Sequence, residues 1–162
     1  MQDRSIRKIS AAELPMLAEL FEYRSPDDMI AENTRDMQLG KIDIFCLFVG
    51  PALAGELRVM YTNEDERMAV KGRRAYLYAF RVSRELQGKG LGKYLLGGVI
   101  EELEGRGYTE LTVGVEDDNK RAIHMYKSFG FDDPIERKQE EYQGCKYEYT
   151  LYLRTRRDKT AV

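Results

Sequence analysis

The chain has 162 residues, 26 Lys and Arg against 28 Asp and Glu, and a net charge of −2 at pH 7; 43% of it is apolar. That length suits one domain with a sizeable core, and the near-neutral balance argues against a dedicated nucleic-acid binder, which carries a basic surplus. No run of 18 apolar residues marks a membrane span, no apolar stretch follows the charged N-terminus as in a secretory signal, and one histidine with two cysteines builds neither a zinc site nor a disulfide framework. The expectation is a soluble, reduced, cytoplasmic single domain without a metal.

Ile6 and Ile9 frame a short first strand. Ser10 and Glu13 have capping-box spacing, and Leu14, Leu17, Leu20 and Phe21 follow on one helical face. Ser25, Pro26, Asp27 and Asp28 start a second helix: a capping hydroxyl, proline in the first turn, then acids at the positive dipole end. It should stop at Gly40, and its few apolar residues (Met29, Ile30, Met37) predict a partly exposed helix.

From Ile42 the texture becomes strand-like through Val49, Gly50 and Pro51 mark a turn, and residues 53–61 form a second strand. A charged loop over 63–72 leads to a third long strand at 75–82, apolar enough for mid-sheet. Leu91, Leu95, Val99 and Leu103 then recur every fourth residue, with Leu96 and Ile100 beside them, a helix buried along one stripe. A strand at 111–115, a helix over 119–129 ended by Gly130, and two strands around Gln143 and Gly144 complete the order; the polar residues 154–162 should fray. Strands grouped early and late, with strand–helix–strand–helix between, predict an α/β mixed sheet, mostly antiparallel and covered by helices on both faces. The strands at 75–82 and 111–115 form its one parallel pair, joined by a right-handed crossover.

Two segments carry chemistry. Gln87, Gly88, Lys89, Gly90, Leu91, Gly92 and Lys93 join the mid-sheet strand to the long helix. Glycines permit backbone angles other residues resist, and consecutive N–H groups at a helix start suit a pyrophosphate; the alternative is a tight connection with no ligand. The dinucleotide fingerprint fails, since Lys93 stands where its third glycine belongs. A P-loop fails too, with three residues between Gly88 and Gly92 and Tyr94 after Lys93. The second segment is a helix with Asn119 at its start and Tyr126 seven residues on, about 700° of turn, so the two share a face roughly 10 Å apart. They can touch two points of one elongated ligand, or serve only as a helix cap and a packed ring.

Together the segments resemble the GCN5-related N-acetyltransferase (GNAT) family. Gln87-x-x-Gly90-x-Gly92 is similar to its acetyl-CoA motif, and Asn119-x-x-Ala122-x-x-x-Tyr126, closed by Phe129, Gly130 and Phe131, to its second motif. The resemblance covers residues 76–131, and the element order matches the family fold over nearly the whole chain. It implies a GNAT-like domain over 1–153 with a polar tail at 154–162, and an acetyl-CoA-dependent N-acetyltransferase with no metal. The backbone of Phe80, Arg81 and Val82 would pair with pantetheine amides as an added strand. Backbone amides of Gly88, Lys89, Gly90, Leu91, Gly92 and Lys93 would hold the pyrophosphate. Asn119 would bond the pantetheine arm, and Tyr126 would protonate the leaving thiolate.

One part of that pattern is missing. Where the ribosomal-protein branch has a glutamate base stands Gly114, and where the histone branch has one stands Tyr76. Glu56 and Glu116 are remaining candidates, each expected to be a solvated or loop carboxylate, and the base is left unassigned. His124, about 200° round the helix from Tyr126, should face away. Short arginine runs at 73–74 and 154–157 read as solvated faces. Asp27, Asp28, Glu32, Asp36, Glu140 and Glu141, with Tyr23, Tyr142 and Tyr147, would form an acidic rim suited to a cationic acceptor, a small amine in preference to a protein amine. The rival reading is a non-catalytic acyl-CoA-binding or sensory module of the same fold. A homodimer is left open.

Overall fold

A computed structural model of the chain describes residues 3–142 and 144–156. In chain order the elements are β1 (Arg4–Lys8), a 3-10 turn (Ala11–Glu13), α1 (Leu14–Leu20), α2 (Pro26–Gln38), β2 (Ile42–Val49), β3 (Ala52–Met60), β4 (Arg74–Val82), a second 3-10 turn (Arg84–Leu86), α3 (Leu91–Gly105), β5 (Glu110–Glu116), α4 (Lys120–Ser128), β6 (Asp133–Tyr142) and β7 (Cys145–Thr155). The strands form one sheet in the order β1-β2-β3-β4-β5-β7-β6. β4 and β5 are parallel, with Ala75 opposite Leu111, whereas β1–β2, β2–β3, β5–β7 and β6–β7 are antiparallel. This is the mixed α/β sheet with one parallel pair expected from the sequence. Two compact units divide the chain: residues 1–60 with 79–101, and residues 61–78 with 102–162. No described helix is long and apolar enough to cross a membrane.

In the first unit the capping box forms: the Ser10 N–H donates to Glu13 Oε1 at 3.0 Å. Arg7 clamps the same carboxylate at 2.6 Å, and this guanidinium, with the Ser10 N–H, holds the Glu13 carboxyl down at about 2. Ile9, Leu14, Leu17 and Met29 pack against Ile42, Ile44, Cys46 and Phe48, alternate residues and hence one face of β2. On the other face Ile6 pairs with Leu47, and the place of a Cβ on Gly98 of α3 meets the tip of Ile6. Helices thus cover both faces of this part of the sheet. Leu20 departs from expectation at 37% exposed: it ends α1, the chain becomes extended at Phe21 (φ −117°, ψ 150°), and it is Phe21 that packs against the core. Helix α2 follows its signals: the Ser25 hydroxyl accepts from the Asp28 N–H, Gly40 turns the chain at φ +71°, and Met29 is its buried residue.

In the second unit the Thr112 hydroxyl donates to Met68 O at 2.7 Å and Lys138 pairs with Asp65 at 2.6 Å, fastening the charged loop. Phe131, fully buried, meets the Tyr126 ring edge-on with centroids 5.8 Å apart. The expected fraying from residue 154 does not occur there. β7 continues to Thr155, Arg154 donates to Phe129 O at 2.8 Å and pairs with Glu104 at 2.6 Å, and Arg156 pairs with Glu104 at 3.3 Å. The other arginine run is also anchored, Arg73 and Arg74 both pairing with Glu110. These side chains read as solvated because their partner carboxylates lie far away in sequence. Arg157 and the remaining tail, like Gln143, lie outside the described residues.

Candidate active site

Phe80, Arg81 and Val82 close β4, and the 3-10 turn and the glycine segment carry the chain into α3, all within the first unit. Gln87, itself exposed, donates from Nε2 to Val82 O at 3.0 Å and ties the strand end to the turn. Gly88 (φ +82°) and Gly90 (φ +78°) are left-handed, and nothing lies within 4 Å of where a Cβ would stand on either. The glycines therefore serve backbone shape and open space together. Gly92 does something else, since its Cβ position is 3.6 Å from Phe80 Cζ and its lack of a side chain lets α3 approach β4. The Leu91 side chain is in the core, so only its backbone faces the turn. The first-turn N–H groups of α3 have no carbonyl partner within the helix, and the helix dipole adds positive potential there. An open left-handed turn leading into such a helix start fits a pyrophosphate.

The parallel ladder of β4 with β5 covers four positions, from Arg74 opposite Glu110 to Leu77 opposite Val113. Two residues past its end, Ala79 adopts φ +50°, the one non-glycine in left-handed geometry among the described residues. Such a residue costs about 1–3 kcal/mol and persists where its surroundings impose it. No glycine marks this angle in the sequence.

Glu56, read from the sequence as solvated, is fully buried. Its carboxylate accepts from Arg58 Nε at 2.6 Å, Arg81 Nε at 2.8 Å and the Tyr23 hydroxyl at 3.1 Å. Arg58 also donates to Asn33 Oδ1 at 3.1 Å and to Tyr23 Oη at 2.9 Å, and Arg81 donates to that same phenol oxygen. The Arg81 guanidinium lies over the rings of Phe21 and Tyr23, 3.9 and 4.9 Å from their centroids. With its oxygens taken by two guanidiniums and a phenol, Glu56 is a structural counter-ion. Burial, with Glu56 next, pushes the Cys46 thiol up to about 12, leaving it unreactive.

In the second unit Asn119 caps α4, its Oδ1 accepting from the Ala122 N–H at 3.2 Å. Tyr126 stands two turns on, and burial first, then Tyr76, pushes its hydroxyl up to about 12. Tyr76 stacks on Tyr78 with centroids 5.7 Å apart, and burial, then Glu140, lifts it to about 12 as well. The Tyr149 hydroxyl donates to Glu140 Oε1 at 2.6 Å; burial followed by this bond raises its pKa. A Cβ at Gly114 would come within 2.7 Å of two Tyr149 ring carbons and 3.2 Å of Tyr76 Oη. The place of the glutamate base is therefore filled by tyrosine rings. Tyr149 was missed in the sequence, although its alternation with Leu151 and Leu153 marks the inward face of β7. His124 and Glu116 are exposed, as expected. Among the described residues no group of three or more His, Cys, Asp or Glu could hold a metal ion.

Residues 12–131 match the acetyltransferase (GNAT) family profile, and the chain belongs to that family. Curated relatives include the thialysine N-epsilon-acetyltransferase of Bos taurus, 38% identical over 41% of this chain and 39% of its own length. Another is the [ribosomal protein bS18]-alanine N-acetyltransferase of Salmonella typhimurium, 41% identical over 36% of this chain and 40% of its own length. The match thus spans about two-fifths of each relative. The solved ribosomal-protein-S18-alanine N-acetyltransferase of Escherichia coli shares the fold at TM-score 0.75 and 21% identity over 99% of both chains. A ribosomal L7/L12 alpha-N-protein acetyltransferase solved with coenzyme A does so at TM-score 0.73 and 17% identity over 94% of each.

Proposed function

We propose that the chain transfers an acetyl group from acetyl-CoA to a primary amine by direct attack in a ternary complex. The open left-handed turn at Gly88 and Gly90, running into α3 of a family member, is the observation that carries this reading. Acetyl-CoA supplies an acyl thioester, whose carbonyl carbon forms a C–N bond with the neutral amine as the C–S bond breaks. Backbone N–H groups of residues 88–93 hold the pyrophosphate, and the backbone of Phe80, Arg81 and Val82 pairs with the pantetheine amides. Asn119 contributes through Nδ2, because Oδ1 caps the helix. Tyr126 Oη gives its proton to the departing thiolate; a phenol raised to about 12 is protonated at neutral pH, as an acid must be. The amine loses its proton to water or to a base among groups not yet assigned. Free Cys46 and Cys145 suit a reducing, cytoplasmic setting. The absence of a carboxylate at Gly114 and Tyr76 favours a second reading, an acyl-CoA-binding module without turnover; Tyr126 favours the enzyme.

Binding is tested by melting the protein with acetyl-CoA, ATP or NAD. A ligand at 100 times its Kd adds about 2.7 kcal/mol, which for a chain of this size is a rise of roughly 5–10 °C. The rise is expected with acetyl-CoA and not with ATP or NAD; no rise with acetyl-CoA contradicts the reading. Gly90→Val places a branched side chain in the open turn at φ +78° and should remove the rise. A folded Gly90→Val protein with unchanged affinity would show that the phosphates bind elsewhere.

A further inference from the structure

Resting on the acetyltransferase reading, we propose that Glu140 binds a cationic group of the acceptor, so that the acceptor carries a positive charge besides the amine that reacts. Glu140 is an exposed residue of β6, in the second unit. The buried Tyr149 of β7 donates its hydroxyl to Glu140 Oε1 at 2.6 Å. That bond fixes the carboxylate through one oxygen, and among the described residues no other hydrogen bond is made to it. A carboxylate already held in place loses little freedom when a cation arrives.

The cations near it on the hairpin are committed elsewhere. Lys138, two residues earlier and on the same face, pairs with Asp65 at 2.6 Å, and Arg67 pairs with Glu136 at 3.1 Å. Arg137, on the opposite face, pairs with Asp117 at 2.6 Å and Glu148 at 3.3 Å. Among the described residues no cation pairs with Glu140. Tyr147 stands opposite Glu140 in the strand register and is 41% exposed, so a cation drawn to the carboxylate meets an exposed ring as well.

The spacing decides which cation this is. Bare backbone at Gly114 lets the Tyr149 ring and Tyr76 Oη converge, 2.7 and 3.2 Å from where a Cβ would stand. Burial, then Glu140, raises the Tyr76 hydroxyl, and burial, then Tyr76, raises Tyr126. The carboxylate is thus linked to the proposed acid through an intervening tyrosine. The attacking nitrogen has to be neutral, and a carboxylate beside an ammonium would hold its proton on. Glu140, set back from Tyr126, therefore serves a second positive group on the acceptor.

The test compares α,ω-diamines of increasing length with the amino alcohols of the same length, as kcat/KM per unprotonated amine. At the best length the wild type is expected to prefer the diamine by at least about fivefold, the upper range of an exposed ion pair, chiefly through KM. In Glu140→Gln, which keeps an acceptor for Tyr149, the preference should fall toward unity. Tyr149→Phe keeps the ring and frees the carboxylate, so it should lower the preference part-way; full retention would contradict the positioning role of Tyr149. Melting with acetyl-CoA confirms that each variant is folded and binds the donor. Equal use of diamines and amino alcohols by the wild type overturns the proposal and leaves the acetyltransferase reading standing. A diamine preference that survives in folded Glu140→Gln overturns it equally, by assigning the cation to another group. Thiol release with neither class, nor with any other primary amine, removes the reading itself.

Discussion

Tyr126→Phe is expected to lower kcat by at least about tenfold while acetyl-CoA affinity changes much less. The substitution keeps the ring that meets Phe131 edge-on at 5.8 Å and removes only the hydroxyl. A positioned general acid contributes roughly 10²–10⁴-fold, and tenfold is the lower bound because the thiolate of coenzyme A leaves tolerably unaided. Burial, with Tyr76 second, raises this phenol from the usual tyrosine value to about 12, so its ionisation contributes no falling limb to the rate profile below about pH 10. The sign for stability follows: the unfolded chain ionises Tyr126 near pH 10 and the folded chain near 12, so stability is full below the first value and lost on approach to the second. Steady-state and single-turnover rates check the first effect, and alkaline melts the second. Full kcat in the variant, with chemistry rate-limiting, would make Tyr126 structural. Wholesale loss of donor binding would make it a binding residue.

Glu56→Ala is expected to have the largest effect on stability. It leaves Arg58, 7% exposed, without the carboxylate that accepts from it at 2.6 Å, and removes one partner each of Arg81 and Tyr23. Removing one side of a buried ion pair costs about 3–5 kcal/mol, on the order of 10 °C in Tm for a domain of this size. Glu56→Gln keeps an acceptor oxygen and should lose less. A Glu56→Ala protein melting within a degree or two of wild type would show that water replaces the carboxylate and that the network is dispensable.

Local pattern made much of the fold legible. The Leu91, Leu95, Val99, Leu103 stripe, the apolar run that became β2, and the caps at Ser10, Ser25 and Asn119 each state their structure within a few residues, and each formed where expected. The glycine turn was legible for the same reason, since a left-handed φ with open space beside it is what glycine permits. Leu20 misled because it is the last residue of α1, left partly exposed where the chain becomes extended at Phe21.

The polar cluster was hidden. Glu56 and Arg58 alternate on β3 as a solvent-facing pair would, and nothing nearby reveals that Tyr23, 33 residues before Glu56, and Arg81, 25 residues after it, close over them. Arg154 was misread in the same way, because Glu104 lies 50 residues off. Gly114 was visible as a missing carboxylate, but that Tyr149 fills its place depends on the β5–β7 pairing. Ala79 adopts a left-handed angle with no glycine or other local signal in the sequence to announce it.

The most direct measurement follows release of the coenzyme A thiol from acetyl-CoA with and without a panel of primary amines, with mass analysis of each product. Release that depends on the amine, with one acetyl group appearing on it for each thiol freed, is the expected result. Acetyl-CoA that raises the melting temperature yet releases no thiol with any amine would contradict catalysis and leave a binding module of the same fold.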